Sequence, residues 1–316
     1  DALNDFNNIE FALKQVKENG KHAQGAMAYT TSPVHNLETW LDYAKKVEDS
    51  GADSFAIKDM AGILKPYDAF ELVTALKDKL SIPIHMQCHA TTGMSTASNL
   101  KAIEAGIDNI DTSISSMSMT YGHSATETLV SMFSDREADL GLDINLLGEI
   151  SDYFRVIREK YSEFEGSLKG VDSTMLIKQV PGGMLSNLES QLRTINQQDK
   201  LDKVKDEIAK VREDFGFPPL VTPVSQIIGA QSLLNVTENS KYGSLTSETK
   251  KLVLGAYGKL PGKVKEEIVK KASEDPPEQE DERKLEEIAE ELKTICSKNN
   301  LPDLSNNSES LLTYTL

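Results

Sequence analysis

Four short apolar segments, separated by stretches of helical period, constrain this chain more than any other feature in it. His22–Tyr29 (HAQGAMAY), Ser54–Lys58 (SFAIK), Ile82–His89 (IPIHMQCH) and Asn109–Ile114 (NIDTSI) read as strands. Asn8–Glu18, Leu37–Ser50, Tyr67–Lys79, Ser95–Ala105 and Ala125–Phe133 carry apolar residues at helical spacing. Gly20, Gly51 and Gly106 stand just past three of these helices, where a left-handed cap is needed. A strand and a helix recurring about every 30 residues mean βαβ crossovers and a parallel sheet. A doubly wound sheet and a (β/α)8 barrel share that rhythm. Four units, with Asp1–Asn4 as the tail of a fifth strand, make about half a barrel, so the sequence reads as starting in mid-fold.

Beyond Leu140 the pattern changes to a largely helical second unit. Leu146–Phe164 has strong helical spacing and is followed by the loop Gly166–Gly170. Met175–Val180 and the turn Pro181-Gly182-Gly183 lead to helices at Asn187–Arg193, Leu201–Phe215, Pro223–Asn235 and Ser247–Leu254. Glu274–Lys293 holds ten acidic and three basic residues after Pro276-Pro277, which reads as an exposed linker entering a solvated helix. The expected division is 1–140, 141–260 and 261–316. A net charge of −16 argues against nucleic acid as a partner. No apolar run approaches the ~18 residues of a membrane span, and no secretory signal opens the chain. Two cysteines, Cys88 and Cys296, argue for a reducing compartment, so the expectation is a cytoplasmic protein.

In parallel α/β folds the reactive groups gather on loops at the carboxyl ends of the strands. Lys58 ends a strand there. An inward lysine is costly unless its charge is removed or paired. Capture of carbon dioxide as a carbamate makes it an oxygen ligand for a metal; a salt bridge to Asp59 or Asp111 is the plainer solution. His85, Gln87 and His89 alternate, so they share one face of their strand. Two imidazoles at i, i+2 are a good chelate, whereas an amide oxygen is a weaker donor. Cys88 faces the opposite side and reads as a packing residue. In Pro181–Asn187 the glycines allow close backbone approach to a ligand, and Ser186 or Asn187 equally suits the N-cap of a helix starting at Leu188.

Taken together, several segments resemble one family. They are Tyr29–His35 (YTTSPVH), Lys58–Gly62 (KDMAG), Cys88–Gly93 (CHATTG), Asp111-Thr112 with Ser115–Met117, Gln179–Gln191 (QVPGGMLSNLESQ) and Val221–Gly229. They are similar, in order, to the carboxyltransferase domain of biotin-dependent enzymes, a family that includes the oxaloacetate decarboxylase alpha subunit, the pyruvate carboxylase B subunit and the transcarboxylase 5S subunit. The likeness runs from Asp1 to about Tyr257 and returns at Ser310–Leu316. It implies a partial (β/α)8 TIM barrel, strands four to eight, followed by a mainly helical funnel. It further implies carboxyl transfer between oxaloacetate or pyruvate and carboxybiotin, at a divalent metal (zinc, cobalt or manganese). The carboxylated lysine of the family matches Lys58 and a histidine ligand matches His89. A proton-relaying hydroxyl matches Ser186, with Gly182 and Gly183 beside it for biotin. Biotin would arrive on a carrier domain outside this chain. A homodimer is implied, as are partner subunits: a biotin carboxylase, or the membrane subunits of a sodium pump.

The chain departs from the family pattern in three places. The family's other metal-binding histidine falls at Gln87, which either coordinates weakly or yields to His85 after a strand shift. The Arg-Asp-Gly-type motif that brings a metal-binding aspartate is absent from this sequence. So is the Ala-Met-Lys-Met biotinylation motif. The expectation is that this chain alone is inactive. Two other readings stand beside the resemblance: a metal-dependent aldol-type lyase or synthase barrel, and a non-catalytic relative that has lost its metal.

Overall fold

Along the chain, α1 (Asn7–Glu18) leads to β1 (Gln24–Ala28), α2 (Leu37–Asp49), β2 (Ser54–Asp59), α3 (Pro66–Lys79), β3 (Ile84–Cys88), α4 (Ser95–Glu104), β4 (Asn109–Ile110) and α5 (Thr126–Phe133). This computed structural model describes residues 1–136, 140–165, 169–172, 174–178, 180, 182–277 and 285–306. The strands form one parallel sheet in the order β1-β2-β3-β4. A doubly wound sheet reverses its order at a switch point, whereas successive barrel strands do not. The order therefore selects barrel-type winding, which the sequence rhythm left open. Gly20, Gly51 and Gly106 all take positive φ just past α1, α2 and α4, as the cap positions demand.

The pleat divides each strand. Met27, Phe55, Ile57, Ile84 and Met86 are fully buried beneath α2, α3 and α4, with Val47, Val73, Leu76 and Ala102 facing them. The other side carries the small Ala26 and Ala56 and the polar Lys58, His85 and Gln87. Asp1–Asn4 is not a strand. Instead the Asn4 side-chain amide both donates to the Ala28 carbonyl (3.0 Å) and accepts from its N–H (2.7 Å), the two bonds that a neighbouring strand's backbone would make.

After α5 come the helices α6 (Ile144–Lys160), α7 (Thr174–Lys178), α8 (Gly182–Thr194), α9 (Leu201–Asp214), α10 (Val224–Thr237), α11 (Ser247–Val253) and α12 (Glu266–Glu274), and a second core lies among α8 to α12. Val204, Ile208, Val211 and Phe215 pack against Ile228, Leu188, Leu192 and Leu252. The turn expected at 181–183 is replaced by helix from Gly182 onward, so Ser186 and Asn187 lie inside α8 and neither is its N-cap. Met184, Leu188 and Leu192, at i, i+4 and i+8, bury one stripe, and that burial outweighs two glycines in the first turn. The segment 1–276 forms one compact unit and 277–316 another. In the second unit α13 (Leu285–Lys298) buries Ile288, Leu292 and Cys296, so this helix is amphipathic and not solvated all round. Among the described residues no helix is long and apolar enough to cross a membrane.

Two buried charges tie the first unit together. The Arg212 guanidinium, on α9, donates to Thr30 Oγ1 (2.8 Å), the Thr31 carbonyl (3.2 Å) and the Pro218 carbonyl (3.0 Å), linking the loop after β1 to the helices. Burial pulls its pKa down to about 10, so it remains protonated at neutral pH. Asp214 accepts from Lys241 (2.7 Å), Lys265 (2.5 Å) and the Tyr242 hydroxyl (2.7 Å). Burial pushes this carboxyl up, but those three bonds outweigh it and hold the group below its ordinary value. A depressed folded-state value contributes stability above the unfolded carboxylate value and loses it as pH falls through the folded one. Asp214→Asn should therefore cost about 2–3 kcal/mol at neutral pH in urea melts. The gap to wild type should close as pH drops below about 4.

Candidate functional site

The carboxyl ends of β2 and β3 bring together most of the residues singled out above. The two strands run in unbroken register from Phe55↔Ile84 to Asp59↔Cys88, which sets Lys58 directly beside Gln87 on the face away from the helices. Lys58 is exposed, and among the described residues no carboxylate pairs with it. Both ion-pair partners weighed for it are engaged elsewhere. Asp59 lies on the opposite face, fully buried, accepting from the Ile63 and Leu64 amides (3.1 and 2.8 Å) and from Cys88 Sγ (3.4 Å). Asp111 accepts from His85 Nε2 across 2.7 Å.

That second contact also tells against the alternative in which His85 stands in for Gln87 after a strand shift. The β2–β3 ladder has no shift, and His85 is already committed to Asp111. Cys88 is fully buried on the far side, as parity requires. Burial, then the neighbouring Asp59, pushes its thiol well above the usual range, so it acts as a weak donor and a packing group. Burial likewise raises Asp59, against the pull of the Leu64 and Ile63 amides.

His89 lies one residue past β3. Its N–H donates to the Asp59 carbonyl (3.0 Å), and its backbone forms an antiparallel bridge to His123. The ring Nδ1 lies 2.6 Å from the Tyr121 carbonyl oxygen, which can only accept, so Nδ1 donates there and Nε2 is the nitrogen left to bind elsewhere. The His123 ring sits 4.6 Å away, centroid to centroid, tilted by 43°. Among the described residues its Nε2 is buried without a hydrogen-bond partner. Burial, then the adjacent His89, lowers the pKa of His123 against the pull of Asp111, so the ring is neutral at pH 7. Sequence reading missed His123, because a lone histidine in a loop carries no spacing signal until the loop folds back beside β3.

Gly182 and Gly183 lie in the first turn of α8. Ser186 belongs to the same helix, but its side chain, like Gln179 and Pro181, lies outside the described residues. No trio of His, Cys, Asp or Glu able to hold a metal occurs among the described residues. The donors that fit one are His89 Nε2, the Gln87 amide oxygen and Lys58 once carbamylated. One imidazole with oxygen donors suits zinc, cobalt or manganese.

Two protein-family models match the chain: one described as a conserved carboxylase domain over residues 175–316, and one described as HMGL-like over residues 3–154. The pyruvate carboxylase B subunit of Methanocaldococcus jannaschii is 42% identical over 317 residues, covering 100% of this chain and 56% of the relative. The methylmalonyl-CoA carboxyltransferase 5S subunit of Propionibacterium freudenreichii subsp. shermanii is 46% identical over 276 residues, covering 87% of this chain and 54% of the relative. The carboxyl transferase domain of Rhizobium etli pyruvate carboxylase, solved with pyruvate, superposes with a TM-score of 0.89 at 27% identity, over 100% of this chain and 57% of that one. The chain thus spans about half the length of the curated relatives it matches.

The loop after β2 is built against the same site. Gly62 has φ +66°, and a Cβ there would stand 2.4 Å from the His89 carbonyl oxygen. Thr92 Oγ1 donates to the Gly62 carbonyl and Ser98 Oγ to that of Leu64 (2.6 Å), pinning the loop to α4 and its lead-in. Gly62→Ala should cost at least about 2 kcal/mol through the left-handed backbone and the clash together. A fall in melting temperature would report it.

Proposed function

Because this chain belongs to the carboxyltransferase domain family of biotin-dependent enzymes, we propose that it carries part of a site moving a carboxyl group between oxaloacetate or pyruvate and biotin. The reading rests on the convergence of Lys58, Gln87 and His89 at the carboxyl ends of neighbouring strands, in a chain that a pyruvate carboxylase polypeptide matches along its whole length. In barrel folds that end carries the chemistry.

Lys58 as its carbamate, His89 through Nε2 and Gln87 through its amide oxygen would hold the divalent cation, zinc, cobalt or manganese. Carbamate formation joins carbon dioxide to the neutral Lys58 amine and releases one proton. When bound, the ion supplies Lewis-acid polarisation of the 2-oxo carbonyl, which favours proton loss from the adjacent methyl. The bond from His89 Nδ1 to Tyr121 holds the ring in the tautomer that leaves Nε2 free to ligate. Ser186 carries the proton between the pyruvate methyl carbon and N1 of biotin as the carboxyl group moves the other way. Gly182 and Gly183 leave bare backbone for the biotin ring to approach. Biotin is delivered by a carrier domain outside this chain. The assembly is a homodimer working with a biotin carboxylase or with sodium-pump membrane subunits.

The HMGL-like match over residues 3–154 supports a second reading, an aldol-type lyase of the same barrel. That reading gives Ser186 no part. In the full-length protein, Ser186→Ala should slow carboxyl transfer about 10²–10⁴-fold with metal content unchanged. Full activity without Ser186, or turnover independent of biotin, would favour the lyase. Lys58→Ala should abolish oxaloacetate decarboxylation and strip the metal, measured by elemental analysis. An active, metal-loaded Lys58→Ala protein would refute the carbamate ligand.

A further inference from the structure

We infer that His123 is a metal ligand beside His89, supplying the second imidazole of a site where residue 87 is a glutamine. The inference rests on the metal-dependent reading above and concerns which side chains of this chain complete the coordination. Three observations support it. The first is position: the antiparallel bridge of His123 to His89 puts their backbones side by side at the carboxyl end of β3. The strand's neighbours hold it there, since Ala90 N–H donates to the Gly122 carbonyl (2.8 Å), Ser113 N–H to that of Ser124 (3.0 Å) and Met119 N–H to that of His123 (2.7 Å).

The second is the ring geometry. The rings are 4.6 Å apart and tilted by 43°, neither stacked face to face nor perpendicular. Imidazoles sharing one ion through metal–nitrogen bonds of about 2.0–2.1 Å place their centroids about 5 Å apart. The observed centroid separation of 4.6 Å is close to that spacing. The third is the state of the nitrogen. Among the described residues His123 Nε2 is buried with no hydrogen-bond partner, which leaves its lone pair available to an ion or a water.

Gln87 gives the arrangement its chemical reason. An amide oxygen is a poorer donor than imidazole to zinc or cobalt. A second imidazole reaching in from the loop after β4 restores a two-histidine set without one at position 87.

The test uses cobalt(II) as probe on the full-length protein, titrated after chelation and followed by its visible absorption. His123→Gln keeps a polar side chain in place and should weaken cobalt binding at least about tenfold, with a changed visible spectrum. Adding Gln87→His to that variant should recover most of the lost affinity. In the unaltered protein, paramagnetic proton NMR of the cobalt form should show ring protons of His89 and His123 both strongly shifted. His123→Gln binding cobalt as tightly as wild type, with the same spectrum, would overturn the inference and leave the proposed function standing. A shifted His89 ring with an unshifted His123 ring would do the same, and needs no variant to fold. Wild-type protein that takes up no metal would overturn both.

Discussion

Two neighbouring parallel strands, held in unbroken register, let the pleat send Asp59 and Cys88 to one side and Lys58 and Gln87 to the other. Everything at this end of the sheet depends on that division. The carboxylate that looks, in sequence, like the natural counter-ion of Lys58 is instead sealed beneath the helices. There it gathers the Ile63 and Leu64 amides and so shapes the loop that closes over the strand ends. Among the described residues Lys58 stands on the open face with no carboxylate paired to it.

The loop segments converge through the same few contacts. Asp59 shapes the 59–64 turn, Gly62 lets it lie against the His89 carbonyl, and the Asp59 carbonyl receives the His89 N–H. His89 is thereby fixed in backbone and, through Tyr121, in ring orientation. The helical part of the first unit is anchored to the sheet by Arg212, whose guanidinium is committed to Thr30, Thr31 and Pro218. Asp214, two residues on, holds α9 to the segment around Lys241, Tyr242 and Lys265. Buried charges thus supply orientation, while the two apolar cores supply the bulk of the stabilisation. The net charge of −16 describes the outside of the chain and not the polarity of this face.

Much of the architecture was legible because burial imposes a period. Three of the strands and most helices appear near their expected bounds, since Phe55, Ile57, Ile84 and Met86 alternate and Val204, Ile208, Val211 and Phe215 recur every three or four residues; β4 keeps only Asn109–Ile110 of the expected 109–114. Lys58 and His89 were legible as polar residues at strand ends. The start of α8 was not, because Pro181-Gly182-Gly183 has strong turn chemistry and only the packing of Met184, Leu188 and Leu192 draws helix back to Gly182. The partners of Lys58 were misassigned for a related reason: adjacency in sequence, as with Asp59, places a side chain on the opposite face of a strand.

By itself, then, the sequence determined the βα rhythm, the face each strand residue occupies, and the presence of one lysine, one glutamine and one histidine at neighbouring strand ends. Those are local facts, set by periods of 2 and 3.6 residues. Tertiary structure alone decided that the strands order as 1-2-3-4, that Asp111 engages His85, and that Asn4 closes the free edge of β1 with its side chain. It alone brought His123 against His89. Such pairings join residues 24 to 34 positions apart, and only the folding of the loops onto the sheet brings these groups within reach of one another.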